Sequence, residues 1–192
     1  MRLKESAMHG AVVAVDVDGV LAADPRLAGG EQVLSALGYQ SFRFDGLGPD
    51  GHPAAGAVWL NPEHGGWLRE LLNRSAELAW ATSWGVRAAE WIAPRLGLPE
   101  MPVIEVAHHG PAFGWSPKGG PIRRWASGRP LAWLDDQFGG KECGWAADRR
   151  ADGIPTLIVP VGAGSGLRRQ HIDAVIAWLD TEVAAHLRQV TP

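Results

Sequence analysis

The sequence has one cysteine, no long apolar run and no excess of basic residues, and each absence excludes a class of protein. Cys143 alone cannot form an intrachain disulfide, which fits a reducing compartment. No apolar run reaches the roughly 18 residues that a membrane-spanning helix needs, and residues 1–10 contain no signal-peptide core. A formal net charge of −3 gives no indication of a dedicated nucleic-acid interface. We therefore expect a cytoplasmic protein with no membrane partner.

The length of 192 residues and the hydrophobic content of 46% suit one globular domain spanning residues 1–192. Within it, residues 22–62 are rich in Gly, Pro and Asp, which favours turns and loops. Residues 40–44 alternate polar and aromatic side chains as a strand does, and residues 57–60 are a second strand candidate. The breakers between them, over residues 46–56, predict a long turn. We interpret residues 22–62 as a small flap or cap, built on a β-hairpin and inserted after the first strand.

Outside this insertion, short apolar segments alternate with segments of helical pattern. Five apolar segments are predicted to be strands: residues 11–15, 76–81, 102–106, 131–134 and 156–161. Strands separated by helices in this way indicate a parallel sheet with helices on both faces. The sequence therefore predicts an α/β fold, a Rossmann-like three-layer sandwich around a five-stranded parallel sheet.

Two aspartates follow the first predicted strand and are the most informative feature of the chain. Asp16 and Asp18 are two residues apart, so both carboxylates point to the same side of an extended backbone. Two like charges so close repel each other, and burying them without a partner is costly. A hard cation such as Mg²⁺ takes oxygen ligands and commonly binds phosphate as well. The pair therefore predicts a metal-assisted phosphoryl-transfer site.

Further polar residues follow the later strands or begin a helix beside them. They are Thr82 and Ser83 after the second strand, Lys118 at the start of a helix, and Asp135 and Asp136 after the fourth strand. Ligands bind at the carboxyl ends of the strands in open α/β sheets, so these side chains are expected to converge. Carboxylates, hydroxyls and one ammonium group form the set that a magnesium–phosphate site needs. Trp84 and Trp115 are adjacent to these candidates in sequence.

This ordered set of motifs resembles the haloacid dehalogenase (HAD) superfamily of phosphohydrolases. Residues 16–20, Asp-Val-Asp-Gly-Val, match the first motif of that superfamily, and Thr82 matches the second. Lys118 matches the third motif, and residues 135–136 match the acidic fourth. The resemblance extends over residues 11–161 and implies a HAD-like fold with a small cap. It also implies a Mg²⁺-dependent phosphatase, a hydrolase of phosphate monoesters that acts through an aspartyl phosphate.

The resemblance further implies a role for each acidic residue. Asp16 would be the nucleophile and a metal ligand, and Asp18 would be the general acid and base, with its backbone carbonyl on the metal. Asp136 is the preferred second carboxylate ligand, with Asp135 in the metal shell or next to it. Adjacent side chains at a strand end point in opposite directions, so we do not expect both to bind the metal directly.

The phosphate-binding roles fall to the hydroxyl and ammonium groups. Thr82 would donate a hydrogen bond to a phosphoryl oxygen with help from Ser83, and Lys118 would hold the phosphate as a point charge. A helix N-cap role for Thr82 and Ser83, and a solvated helix position for Lys118, stay open. A small cap leaves the cleft open, so the phosphorylated substrate could be a small molecule, a nucleotide, a nucleic-acid end or a phosphoprotein.

Other functions are compatible with part of the pattern. A catalytically silent module that binds a phosphate ligand or a partner would keep the fold, but Asp18 argues against it. A receiver domain is disfavoured because residues 106–108, at the end of the third predicted strand, contain no aspartate. A dehalogenase is disfavoured because Asp18 is characteristic of the phosphatase branch. A nucleotide or nucleic-acid-end phosphatase is the more specific version of the favoured interpretation.

Overall fold

The computed structural model of the chain describes residues 10–47, 53–106 and 115–190. Its strands are β1 (Val12–Val15), β2 (Ala22–Ala23), β3 (Gln40–Leu47), β4 (Pro53–Leu60), β5 (Glu77–Trp80), β6 (Leu131–Asp135) and β7 (Thr156–Pro160). Its helices are α1 (Pro25–Ala28), α2 (Glu31–Ala36), α3 (Glu63–Leu72), α4 (Ala93–Leu96), α5 (Gly119–Ala126), α6 (Gly140–Ala151), α7 (Arg169–Trp178) and α8 (Ala184–Val190). Two π-helical turns, Ala88–Ile92 and Leu179–Val183, precede α4 and join α7 to α8. None of the helices in the described part of the chain is both long and apolar enough to cross a membrane.

The main sheet is parallel and has the strand order β5-β1-β6-β7. Strand β1 lies at its centre and all four of its side chains are buried. Val13 and Val15 belong to the core cluster that also holds apolar residues of α3 and α7. Val12 and Ala14 belong to the second cluster, which includes Ile122 of α5. Helices therefore cover both faces of the sheet, which explains why the strand sequence is apolar throughout and confirms the predicted α/β class.

The third of the five predicted strands, residues 102–106, is not confirmed as a strand. Val103 forms an isolated parallel bridge with Trp80. The backbone amide of Trp80 donates to the carbonyl of Pro102, and the amide of Ile104 donates to the carbonyl of Trp80. Proline has no N–H to extend this ladder. The main sheet thus has four strands among the described residues. Residues 107 and 108, which follow the predicted third strand, lie outside the described part of the chain.

The predicted hairpin is present and belongs to a second, antiparallel sheet with the order β2-β4-β3, which we call the hairpin sheet. Pairing of β3 with β4 continues from Gln40–Leu60 to Leu47–Pro53. The predicted turn over residues 46–56 is therefore too long, because residues 46–47 belong to β3 and residues 53–56 belong to β4. Residues 48–52 lie outside the described part of the chain. Phe44 pairs with Gly56, and its ring lies against this glycine: a Cβ at Gly56 would be 3.0 Å from Phe44 Cζ. This ring covers a glycine that weakens an isolated strand.

The hairpin sheet is attached to the main core rather than separate from it. Val58 and Leu60 of β4 are buried within the same cluster as β1, and Phe42 and Phe44 pack against that cluster. The outer face, which carries Trp59, packs against a small third cluster that includes Leu34 of α2. The hairpin sheet thereby becomes one wall above the carboxyl end of β1.

Candidate functional site

The site lies where two neighbouring strands of the main sheet end. The chain leaves β1 for β5 on one side and then crosses over to β6 on the other side, so β1 is the point at which the strand order reverses. Open α/β sheets bind ligands at such a switch point. Asp16 directly follows β1, and its amide donates to the carbonyl of Leu134 in β6 at 3.1 Å. Asp135 is the last residue of β6. The topology therefore brings together carboxylates that are more than a hundred residues apart in sequence.

Three of the predicted acidic residues form a cluster that could hold a metal ion. Asp16, Asp135 and Asp136 each offer an oxygen, and these oxygens lie within 4.8 Å of one another. Asp16 is only 3% exposed. Burial raises the pKa of Asp16 to about 7, with a further increase from the charge of Asp135 and an opposing decrease from Lys118. Burial and Asp135 also raise the pKa of Asp136. These shifts indicate carboxylates whose negative charge the protein alone does not fully compensate.

Lys118 is part of this cluster and is not a solvated helix residue. Its side chain is 16% exposed, and its ammonium group forms ion pairs with Asp16 and, at 2.8 Å, with Asp135. Burial lowers the pKa of Lys118, but the two carboxylates raise it by more, so the net shift is upward. Lys118 is therefore charged and fixed between the two acids at the start of α5.

The adjacent acids Asp135 and Asp136 have different surroundings. The carboxylate of Asp135 accepts hydrogen bonds from Lys118 Nζ, from Trp133 Nε1 at 3.0 Å and from the amide of Gln137 at 3.1 Å. These donors occupy both of its oxygens. Asp136 instead lines the open cleft. Of the two, Asp136 has the carboxylate that is freer to bind a ligand, which agrees with the sequence-based preference.

Gly19 allows Asp136 to approach the loop after β1. A Cβ at Gly19 would lie 2.5 Å from Asp136 Oδ2, which no side chain can occupy without displacing the carboxylate. The φ angle of Gly19 is +73°, a left-handed conformation that glycine adopts without strain. The glycine of the first motif thus has two structural reasons to be there: the backbone turn and the closeness of Asp136.

Asp18 is near the acidic cluster but its side chain is not a member of it. The carboxylate is exposed, and the indole Nε1 of Trp84 donates to both of its oxygens at 3.0 Å. Trp84 in turn packs edge-on against Phe44 of β3, with ring centroids 5.7 Å apart. Asp18 is therefore oriented by one aromatic donor, which the hairpin sheet helps to fix.

The two hydroxyl candidates occupy different positions. Thr82 is buried, and its Oγ1 accepts a hydrogen bond from the amide of Trp84 at 3.3 Å, a local turn contact of the capping type. Ser83 is exposed and lines the cleft. Ser83, which the sequence assigned only an assisting role, is thus the hydroxyl at the cleft surface.

The sequence did not identify the residues that hold the site residues in place through hydrogen bonds. Glu142 of α6 is buried, and it accepts hydrogen bonds from the amides of Ser116 at 2.6 Å and Gly139 at 3.0 Å, which holds the segment that precedes Lys118. Glu142 stands at the third helical position after Gly139, as the acid of a capping box does, but Gly139 has no side chain to complete the motif, so the sequence carried only half of this signal. Trp133 was also detectable, because it lies two residues before Asp135 on one face of a strand.

The acidic cluster opens into a cleft of about 780 Å³. Asp16, Asp18, Lys118 and Asp136 line its floor. Most of its remaining surface comes from the hairpin sheet, α1 and the segment after β5, and a smaller part comes from Val106, Pro117, Gln137 and Ala163. This volume is within the range of small-molecule sites in proteins.

Comparisons with known proteins add little to this geometry. No family model matches the chain, and no curated protein matches it. A crystal structure of a hypothetical protein from Xanthomonas campestris is similar to this chain with a TM-score of 0.42 and 15% identity, over 98% of this chain and 92% of that one. A likeness of this degree carries no argument, so the function must be inferred from the site itself.

Proposed function

We propose that the protein is a Mg²⁺-dependent phosphomonoester hydrolase of the HAD type, which acts through an aspartyl phosphate on Asp16. The observation that carries this proposal is the convergence of Asp16, Asp136 and Lys118 at one end of the sheet, with Asp18 beside them at the cleft. The HAD-like fold with its small cap and the cytoplasmic location belong to the same proposal. Its substrate is a phosphorylated small molecule, a nucleotide or a nucleic-acid end.

The residues present fit a magnesium ion. Hard oxygen ligands are what Mg²⁺ prefers, and the raised pKa values of Asp16 and Asp136 indicate carboxylates that a cation would stabilise. Asp16, Asp136 and the backbone carbonyl of Asp18 would hold the ion. When bound, it supplies positive charge that offsets the charge of the phosphate and of the nucleophile.

The proposed reaction has two steps with the same acid–base residue. A carboxylate oxygen of Asp16 forms a bond to phosphorus while the ester P–O bond breaks, and Asp18, as a carboxylic acid, gives its proton to the departing alcohol oxygen. Asp18, now a carboxylate, then takes a proton from water, whose oxygen bonds to phosphorus and releases Asp16 and inorganic phosphate. The amide of Val17, which donates to Asp16 Oδ1 at 2.7 Å, and Lys118 keep the nucleophile in one orientation.

The direct test is turnover of a panel of phosphate esters with Mg²⁺ and with a chelator. We expect Mg²⁺-dependent release of phosphate, and a loss of at least about 100-fold in kcat on Asp16→Asn, because the amide is a far weaker nucleophile. Asp173→Asn is the matched control, since Asp173 is an exposed carboxylate on α7 paired with Arg169. Mg²⁺-independent turnover, or an Asp16→Asn variant with full activity, would contradict the proposal.

The same experiment distinguishes the phosphatase from a catalytically silent module that only binds a phosphate ligand. A module that only binds phosphate ligands would bind a phosphate mimic tightly in the presence of Mg²⁺ but would release no phosphate from any ester. Calorimetry with vanadate, performed beside the turnover panel, separates the two functions.

A further inference from the structure

The chemistry of the cleft wall differs from that of its floor. Aromatic and aliphatic side chains line the wall on both faces of the hairpin sheet. Phe44 and Trp84 lie on the face toward the main core, and Trp59 lies on the opposite face, with Pro25 and Leu27 of α1 completing the wall. Leu27 is 63% exposed at the rim. An exposed apolar surface beside an acidic floor indicates a ligand that is itself apolar on the side away from its phosphate.

The position of Trp84 relates this wall to the reacting end of the substrate. In the proposed reaction Asp18 protonates the oxygen of the leaving group, so that oxygen must lie next to the Asp18 carboxylate. The indole of Trp84 is bonded to the same carboxylate at 3.0 Å. The organic part of the leaving group therefore extends past Trp84, whose ring is held by Phe44. Aromatic rings bind such a surface by area burial and by edge or offset stacking.

The charges along the cleft disfavour a second phosphate. Four carboxylates line it, those of Asp16, Asp18, Asp24 and Asp136, against the two cations Lys118 and Arg26. Lys118 is paired with Asp16 and Asp135. Arg26 is paired with Asp24, with Nη2 at 2.7 Å from Oδ2. Arg26 is 89% exposed, so its pair with Asp24 is weak. Within residues 10–47, 53–106 and 115–190 the cleft nevertheless carries twice as many acidic as basic side chains, so a second phosphate would meet net negative charge.

We propose that this cleft selects phosphate monoesters that carry a single phosphate group and an uncharged leaving group with an aromatic ring. The proposal rests on the proposed function and narrows it. Among phosphorylated small molecules, nucleotides and nucleic-acid ends, it favours aromatic monophosphates over polyphosphates and nucleic-acid ends, whose neighbouring phosphates would meet the excess of carboxylates in the cleft.

Two matched substrate pairs test the two halves of this proposal. 2-Phenylethyl phosphate and ethyl phosphate have leaving groups of similar reactivity, and we expect kcat/KM to be at least about tenfold higher for the first, as for other apolar pocket contacts. Adenosine 5′-monophosphate and adenosine 3′,5′-bisphosphate share the reacting group, and we expect the bisphosphate to be at least about tenfold poorer, because its second phosphate is repelled. Equal rates within either pair would overturn that half of the proposal.

A variant pair shows whether the wall is responsible. Trp59→Ala removes an aromatic side chain of the wall, and we expect it to reduce the phenylethyl-to-ethyl ratio several-fold. Trp145→Ala removes a half-buried tryptophan of α6 that lies outside the cleft, and it should leave that ratio unchanged. An equal change in both variants would mean that the ratio reports general stability rather than the wall.

Failure of the proposed function would be visible separately. If no ester is turned over, binding of 2-phenylethylphosphonate and ethylphosphonate to the Mg²⁺-containing protein is compared by calorimetry. Tighter binding of the phenylethyl compound, reduced by Trp59→Ala, would support the selectivity without catalysis. Equal affinities would overturn it.

Discussion

One indole nitrogen determines how the exposed Asp18 carboxylate is oriented. Trp84 Nε1 donates to both oxygens of Asp18 at 3.0 Å. Without such a donor an exposed aspartate samples several rotamers. Trp84 is thus a positioning residue that acts through Asp18, and its ring position depends on Phe44.

We expect Trp84→Phe to lower kcat about five- to tenfold with little change in KM, because the ring and its wall surface remain while the charge-assisted hydrogen bond is lost. Steady-state kinetics on one aromatic ester measures both constants. The matched control is Trp91→Phe, since Trp91 packs edge-on against the same Phe44 at 5.5 Å. A rise in KM at constant kcat would assign Trp84 to binding alone.

Burial of the His64 ring makes the stability of the fold depend on pH. It is fully buried beside Tyr39 and Trp67, and its Nε2 lies 3.1 Å from the carbonyl of Leu167. A carbonyl can only accept, so Nε2 carries the proton of the neutral ring. Burial lowers the pKa of His64 to about 4. In the unfolded chain the pKa of His64 has its usual value near 6.5. As the pH falls below this value, the unfolded chain therefore takes up a proton on His64 before the folded protein does.

Because the pKa of His64 is lower in the folded protein, His64 decreases the free energy of unfolding as the pH falls from about 6.5 toward 4, by up to about 1.4 kcal/mol per pH unit. His64→Gln keeps an N–H for the Leu167 carbonyl but does not titrate. We expect its free energy of unfolding, measured by denaturant titration, to fall less steeply than that of the wild type in this window. The raised pKa of Asp16 acts in the opposite direction in both proteins and cancels in the comparison. Parallel curves would show that His64 is not the titrating group.

At the scale of elements, a glycine allows two helices to approach closely. Gly65 of α3 faces α4, and a Cβ there would lie 1.7 Å from the carbonyl oxygen of Leu96. Gly66, the next residue, has only Arg69 Nη2 within reach, at 4.0 Å. Gly65 is therefore required for the close contact with α4, whereas the neighbouring Gly66 has room for a side chain.

We expect Gly65→Ala to destabilise the protein by about 2–3 kcal/mol, because backbone must move to relieve the overlap. Gly66→Ala, as its matched control, should stabilise it by up to about 1 kcal/mol through helix propensity. Thermal unfolding of both variants measures the difference. Equal effects would mean that Gly65 does not pack closely against the Leu96 carbonyl of α4.

Strand order and strand-end chemistry account for what the sequence could predict. Asp16 and Asp135 follow apolar segments that were recognisable as strands, and parallel neighbours end at one edge, so their meeting was predictable. The order of preference between Asp135 and Asp136 rests on Lys118, Trp133 and a backbone amide, which only the tertiary structure brings together.

Local sequence propensity mispredicted two segments whose structure depends on pairing between strands. The glycines and prolines of residues 46–56 predicted a long turn, yet β3 and β4 pair through most of it because the Phe44 ring covers Gly56. Residues 102–106 have the apolar character of a strand but form only one bridge, with Trp80, because Pro102 has no N–H to extend the pairing. An apolar pattern alone does not show how far such pairing extends.

At the scale of the whole molecule, the acidic cluster relates the stability of the fold to a cation. The raised pKa of Asp136 means that burial penalises its charged form, and bound Mg²⁺ would remove that penalty. A ligand present at 100 times its dissociation constant stabilises a protein by about 2.7 kcal/mol.

We therefore expect saturating Mg²⁺ to raise the melting temperature by roughly 5–10 °C. Asp136→Asn should lose this increase, yet melt at the same or a higher temperature than the wild type in a chelator, because the penalised charge is gone. Asp173→Asn, an exposed carboxylate, should keep the full Mg²⁺ effect. An undiminished Mg²⁺ shift in Asp136→Asn would assign the cation to other ligands.

The attachment of the hairpin sheet to the main core has a consequence for engineering. Val58 and Leu60 are buried with β1, so swinging the whole sheet outward would expose core side chains, and the cleft keeps its width. The outer parts of the two strands, residues 43–46 and 55–57, carry mostly exposed side chains instead. The exposed positions of this outer part can therefore be replaced to change which esters are accepted, provided that Phe44 is kept, because its ring holds Trp84 against Asp18.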